Sequence, residues 1–203
     1  MSDVTPNIYW HSPNITRTER ERLNGHRGCA VWFTGLSGAG KSTLAHALEA
    51  RLFERGCRTF VLDGDNVRHG LCADLGFSEP DRHENIRRIG EMTRLFVEAG
   101  MITLSAFISP YRADRLRFRE RIGTDSFIEV HCRCSLEVCE QRDRKGIYRR
   151  ARAGEIPDFT GISAPYEEPL TPDVALDTAT TPVDECVAKL MKVLHSRGIL
   201  VAA

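Results

Sequence analysis

The sequence predicts an α/β fold: a parallel β-sheet with helices on both faces, three layers in all. Three observations carry that expectation. Short apolar runs alternate with stretches of helical periodicity. Glycines recur where one element gives way to the next. The turn after the first apolar run is rich in glycine and opens straight into a helix. Strand–helix alternation of this kind leaves the strands parallel. Ligands of such sheets sit beyond the carboxyl ends of the strands.

The elements follow in order. Residues 1–27 are polar, with scattered Trp10 and Ile15, and read as an N-terminal arm packing on the body or on a neighbour. Within it, 16–24 (TRTERERLN) has the character of a short helix. The domain proper spans 28–203. AVWFT at 30–34 suits a buried strand. Segment 42–55 carries Leu44, Leu48 and Leu52 at helical spacing, and Gly56 stops it. TFVLD at 59–63 is a second strand. A helix over 84–99 carries Ile86, Ile89, Phe96 and Val97 and closes at Gly100. MITLSAF at 101–107 and FIEVHC at 127–132 are further strands, the latter followed by a short helix from Ser135. DVALDT at 173–178 is a weaker fifth strand, and 183–195 is a final amphipathic helix.

Composition bounds the function. A chain of 203 residues holds one domain with a substantial core, burying roughly 70% of its unfolded surface. Lys+Arg and Asp+Glu number 28 each. A net charge near zero argues against bulk nucleic-acid or membrane-surface binding, which needs a positive excess. No stretch approaches the ~20 apolar residues of a membrane span. The start MSDVTPNIYWHSPN has no basic-then-apolar signal. Seven cysteines, an odd number with no CxxC pair, argue against a disulfide framework. Cys132 and Cys134 come nearest to a metal spacing, but they sit at the end of a strand. The expected setting is a reducing cytoplasm.

The chemistry begins at residues 35–42, GLSGAGKS. This matches GxxxxGK[ST] in the context the pattern requires, a strand before and a helix after. Gly35, Leu36, Ser37, Gly38, Ala39 and Gly40 curl so that backbone N–H groups face phosphate oxygens, and the helix start adds its positive dipole end. Lys41 is expected to reach the β- and γ-phosphates of ATP and the Ser42 hydroxyl to ligate Mg²⁺. Thr43 completes the ATP-binding run. These residues make the fold a P-loop NTPase fold. The chain has no NKxD signature, which disfavours a GTPase, and the short length favours a small kinase.

Asp63 and Asp65 flank a glycine at the end of the second strand. Beside a phosphate loop, one of them can position Mg²⁺ and the other can take the proton of an attacking hydroxyl. The residues alone leave open which does which. Arg68, Phe77, Arg82 and Asn85 follow, and the third strand ends at Ile108-Ser109. Guanidinium groups bind oxyanions and a ring stacks on a base, so this set suits an acceptor nucleotide with an anionic tail. Arg142, Arg144, Lys145, Arg149, Arg150 and Arg152 crowd eleven residues before Phe159. They read as a lid over about 142–165, closing to stabilise the transferring charge and exclude water.

Taken together, GLSGAGKSTLA (35–45), DGDNVRHGL (63–71), LGFSEPDRHENIRRI (75–89), FISPYRADR (107–115) and FTGISAPYEEP (159–169) resemble, in order, the blocks of the adenylylsulfate kinase family. The resemblance covers nearly the whole chain. It implies transfer of the γ-phosphate of ATP to the 3′-hydroxyl of adenosine 5′-phosphosulfate (APS). It implies catalytic roles for Lys41, Asp63, Asp65 and Ser109, with Asp65 the principal carboxylate and Asp63 and Ser42 near the metal. It assigns Arg68, Arg82 and Asn85 to the ribose and phosphosulfate, Phe77 and Phe159 to the adenine, Ile108 and Ser109 to the pocket edge, and Lys145 to the lid. Ser109 matches a serine phosphorylated in some members. A homodimer aided by the N-terminal segment is also implied. Two positions depart from the pattern: Arg144 replaces a proline in the lid, and Pro157 stands where a lysine is common. The rival readings are another small P-loop kinase, separable by acceptor specificity, and an RNA-binding module, separable by salt-dependent RNA affinity.

Overall fold

The computed structural model describes residues 7–9, 11–143 and 145–200. Its centre is a five-stranded sheet: β1 Cys29–Thr34, β2 Thr59–Asp63, β3 Ile102–Ala106, β4 Phe127–Arg133 and β5 Val174–Asp177. The strand order is β2-β3-β1-β4-β5, and all four pairings are parallel. The chain runs out from β1 to β2, returns to β3 beside β1, then crosses to β4 on the other flank of β1. The order reverses around β1, so a crevice opens beyond its carboxyl end.

Helices cover both faces: α1 Arg17–Asn24, α2 Lys41–Phe53, α3 Glu79–Glu98, α4 Arg112–Ile122, α5 Leu136–Gln141, α6 Ile147–Arg152 and α7 Val183–Ser196. The alternation of β1 explains the two cores, because successive side chains of a strand point to opposite faces. Cys29, Val31 and Phe33 pack with Leu44, Leu48 and Leu52 of α2 and Val187, Leu190 and Leu194 of α7. Ala30 and Trp32 pack on the other face with Ile86, Ile89 and Val97 of α3 and Phe118 of α4. Trp32 is fully buried, with Phe107, Phe118 and Phe127 rings 6.0, 5.8 and 6.0 Å away.

Three helices depart from the sequence expectation. α3 begins at Glu79 rather than 84, because Ser78 caps it by accepting from Asp81 N at 3.3 Å. Its first turn faces away from the core, so apolar periodicity starts only at Ile86. α4 has no counterpart in the sequence reading. Its buried residues are Asp114, Arg115 and Phe118, two of them charged, and the apolar stripe is missing. α6 lies inside the basic stretch, with Tyr148 and Ala151 buried and the arginines outward.

The predicted N-terminal helix is α1, capped by a reciprocal Thr16–Glu19 box. It buries no residue and is held by polar contacts. Glu21 Oε1 accepts from Gly28 N at 2.8 Å, Arg17 Nη2 donates to Gly28 O at 2.8 Å, and Asn24 Nδ2 donates to Gly100 O at 2.9 Å. These partners precede β1 and β3, so α1 packs on the body at the end opposite the crevice. Trp10 and Arg144 lie outside the described residues.

Candidate active site

The glycine-rich turn joins β1 to α2. Gly35 and Gly40 have φ of +150° and +82°, and a Cβ on Gly35 would sit 2.7 Å from Cys132 O. A larger residue there would collide with β4. The side chain of Lys41 is buried, and Nζ donates to the carbonyls of Gly35 and Leu36 at 3.0 and 2.7 Å. Burial pushes its amine below the ordinary lysine value, while the nearby carboxylates of Asp63 and Asp65 act the other way.

The carboxylates stand at the adjoining strand end. Ser42 Oγ donates to Asp63 Oδ2 at 2.5 Å, across 21 residues of sequence. The other oxygen of Asp63 accepts from Asp65 N at 3.0 Å. The β2–β3–β1 order creates this meeting: β2 lies two strands from β1, and its turn reaches back over β3. Lys145 donates to Asp65 Oδ2, joining the basic stretch to the same point. Ser42 and Thr43 are exposed in the first turn of α2.

The acceptor-side residues form a linked second group. Arg68 Nη1 donates to the carbonyls of Leu75 and Gly76 at 3.0 Å each, and its guanidinium lies 4.2 Å from the Phe77 ring centre. Phe77 is 57% exposed, high for a phenylalanine, and so is available to stack. Arg82 Nε donates to Phe77 O at 2.9 Å and Nη2 to Asp158 O at 2.6 Å, spanning from α3 to the residue before Phe159. Phe159 packs edge-on against Tyr148, centroids 5.0 Å apart. A cavity of about 360 Å³ is lined by Arg82, Tyr111, Asp158 and residues 163–165. Asn85 is buried, and its Nδ2 has no partner among the described residues. Such an orphan donor is costly unless a ligand or water meets it.

Ser109 follows β3 and is buried. It is 1% exposed, with φ of +40°. Its hydroxyl accepts from Trp32 Nε1 at 3.1 Å and donates to Phe107 O at 3.5 Å. The hydroxyl is engaged in the core beneath the site. Ile108 lies beside it, its carbonyl accepting from Thr34 Oγ1 at 2.7 Å. The cysteines are free thiols, and among the described residues no cluster of three or more His, Cys, Asp or Glu is arranged around a metal.

Sequence reasoning missed Arg115. Buried on α4, it donates from Nη1 to Ser109 O at 2.6 Å, from Nη2 to Glu167 O at 2.7 Å and from Nε to Glu129 Oε1 at 2.7 Å. It clamps the end of β3 to the segment after Phe159. The signal was present: Glu129 is a charge inside the apolar run FIEVHC, and a buried carboxylate needs a cationic partner.

Known proteins resemble this chain in sequence and in fold. The family model described as adenylylsulphate kinase matches residues 27–177. The adenylyl-sulfate kinase of Acaryochloris marina is 58% identical over 194 residues, covering 96% of this chain and 95% of that protein. Among solved structures, the APS kinase CysC of Mycobacterium tuberculosis, in complex with AMPPNP and APS, is 46% identical at a TM-score of 0.79, covering 84% of this chain and 99% of that one. The hexameric APS kinase from Thiobacillus denitrificans is 36% identical at a TM-score of 0.66, covering 91% of this chain and 32% of that one. With the motif blocks, the sheet order and this likeness all pointing one way, the chain belongs to the adenylylsulphate kinase family.

Proposed function

We propose that this chain transfers the γ-phosphate of ATP to the 3′-hydroxyl of adenosine 5′-phosphosulfate, giving 3′-phosphoadenylyl sulfate and ADP. The observation that carries the reading is the position of Asp65. Its N–H donates to Asp63, the partner of Ser42 at the phosphate loop, and its carbonyl accepts from Arg68 N at 3.1 Å, at the head of the Arg68–Phe77–Arg82 group.

The loop amides and Lys41 hold the ATP phosphates. Lys41 exchanges its bonds to the Gly35 and Leu36 carbonyls for phosphate oxygens. The Ser42 hydroxyl and Asp63 carboxylate are hard oxygen donors at an exposed point, which suits Mg²⁺ held by few protein ligands. When bound there, Mg²⁺ neutralises charge on the β- and γ-phosphates. Asp65 accepts the proton of the 3′-hydroxyl as that oxygen attacks phosphorus in line. Lys145, paired with Asp65 in this structure, adds positive charge beside the transferring group as the 142–165 lid closes. Arg68, Arg82 and Asn85 hold the ribose and phosphosulfate, and Phe77 and Phe159 take the adenine. Ile108 and Ser109 shape the pocket wall through their backbone.

Supporting a homodimer, Ile8 and Tyr9 of the N-terminal arm are 71% and 78% exposed and have apolar surface to cover. The free thiols accord with a reducing cytoplasm. The deciding experiment measures ADP formation by the purified protein with Mg-ATP and APS, AMP or shikimate in parallel. Turnover with APS far above the other two is expected. Equal turnover on AMP would reject the assignment.

A further inference from the structure

Tyr148 lies on α6 within the basic stretch, yet its side chain is buried. Its hydroxyl donates to the carbonyl of Ser37 at 2.8 Å, inside the phosphate loop. A trans peptide is planar and carries its C=O and N–H on opposite sides. With Ser37 O held toward α6, the N–H of Gly38 in the same peptide points away from α6. Among the described residues that N–H has no backbone acceptor. The loop is also backed from α5: Cys139 O lies 3.0 Å from where a Cβ of Gly38 would be. The aim of Tyr148 is set by Asp143, whose carboxylate accepts from Ile147 N at 2.9 Å and Tyr148 N at 2.8 Å. The Tyr148 ring meets Phe159 at 74° between planes.

We propose that Tyr148 is a positioning residue for the phosphoryl transfer. Its hydroxyl orients the Ser37–Gly38 peptide so that the Gly38 amide is presented to the ATP phosphates, and its ring backs Phe159 at the acceptor pocket. One side chain thereby ties the nucleotide half of the crevice to the acceptor half. The proposal rests on the reading of residues 35–42 as the cradle for ATP and of Phe159 as an acceptor contact.

Tyr148→Phe deletes the hydroxyl and keeps the ring. It is expected to weaken AMPPNP binding about fivefold, the size of one net hydrogen bond, and to raise the KM for ATP while leaving that for APS in place. Adenosine, which has no phosphates, is expected to bind both proteins alike. Tyr148→Leu removes hydroxyl and ring together and raises both KM values. Asp143→Asn loosens the cap that aims α6 and reproduces the AMPPNP-selective loss even if the other variants fold poorly. AMPPNP affinity at the wild-type level in Tyr148→Phe and Asp143→Asn overturns the proposal, as does an equal loss for adenosine. Calorimetry with AMPPNP needs no acceptor, so failure of the wild-type protein to phosphorylate APS would defeat the acceptor assignment and leave this result readable.

Discussion

Replacing Arg115 with methionine tests how the two ends of the acceptor side are held together. The side chain is 3% exposed and its partner Glu129 11%, so neither charge has water to fall back on. After the change Glu129 retains, among the described residues, only Arg119 as a cationic partner, at 3.7 Å. The carbonyls of Ser109 and Glu167 lose their guanidinium donors. Removing one partner of a buried pair costs about 3–5 kcal/mol. For a chain of this length each kcal/mol moves the melting temperature by about 2–4 °C, so a fall of roughly 6–20 °C is expected. Arg115→Met with Glu129→Leu removes both charges and is expected to recover most of the loss, because an apolar pair of similar volume substitutes well for a buried ion pair. Scanning calorimetry at neutral pH reads both. A fall of less than about 3 °C for the single variant, near the effect of only 1 kcal/mol, would refute the reasoning, as would a double variant no better than the single one.

Asp65→Ala is expected to remove most turnover while ATP binding, measured by calorimetry, stays near wild type. A near-normal rate for Asp65→Asn would assign the base elsewhere. Gly90, buried in mid-α3, faces the Phe118 ring so closely that a Cβ there would overlap it. Gly90→Ala gains about 1 kcal/mol of helix propensity and incurs an overpacking cost of about 1–3 kcal/mol or more. Urea denaturation is expected to show net destabilisation, relieved by Phe118→Leu; a more stable Gly90→Ala protein would refute the contact. Burial lowers the pKa of His131, on β4, below the ordinary 6.5. The unfolded chain then takes up a proton near pH 6.5 that the folded protein refuses, so this contribution to stability is present above pH 6.5 and declines as pH falls below it. His131→Gln is expected to flatten the stability profile just below pH 6.5, and an unchanged slope in denaturation series would show that the residue is not titrating as described.

The α/β class, the parallel strands, the phosphate loop and the carboxylate turn were all legible in the chain. They depend on local chemistry: short continuous apolar runs, a glycine turn before a helix, and aspartates at a strand end. The elements that escaped were those whose inward face is polar. α4 turns Asp114, Arg115 and Phe118 inward, so no hydrophobic stripe announced it, and the first turn of α3 carries cap and crevice residues instead of core.

Residue types and their spacing therefore determined the chemical inventory and the order in which it occurs along the backbone. Only tertiary structure decided who meets whom. Ser42 reaches Asp63 because the sheet runs β2-β3-β1. Ser109 is drawn into the core because Trp32 offers its indole N–H there. Tyr148 reaches Ser37 from 111 residues away. Such pairings are set by strand order and by where a buried donor can find an acceptor, and neither quantity is written in any local stretch of sequence.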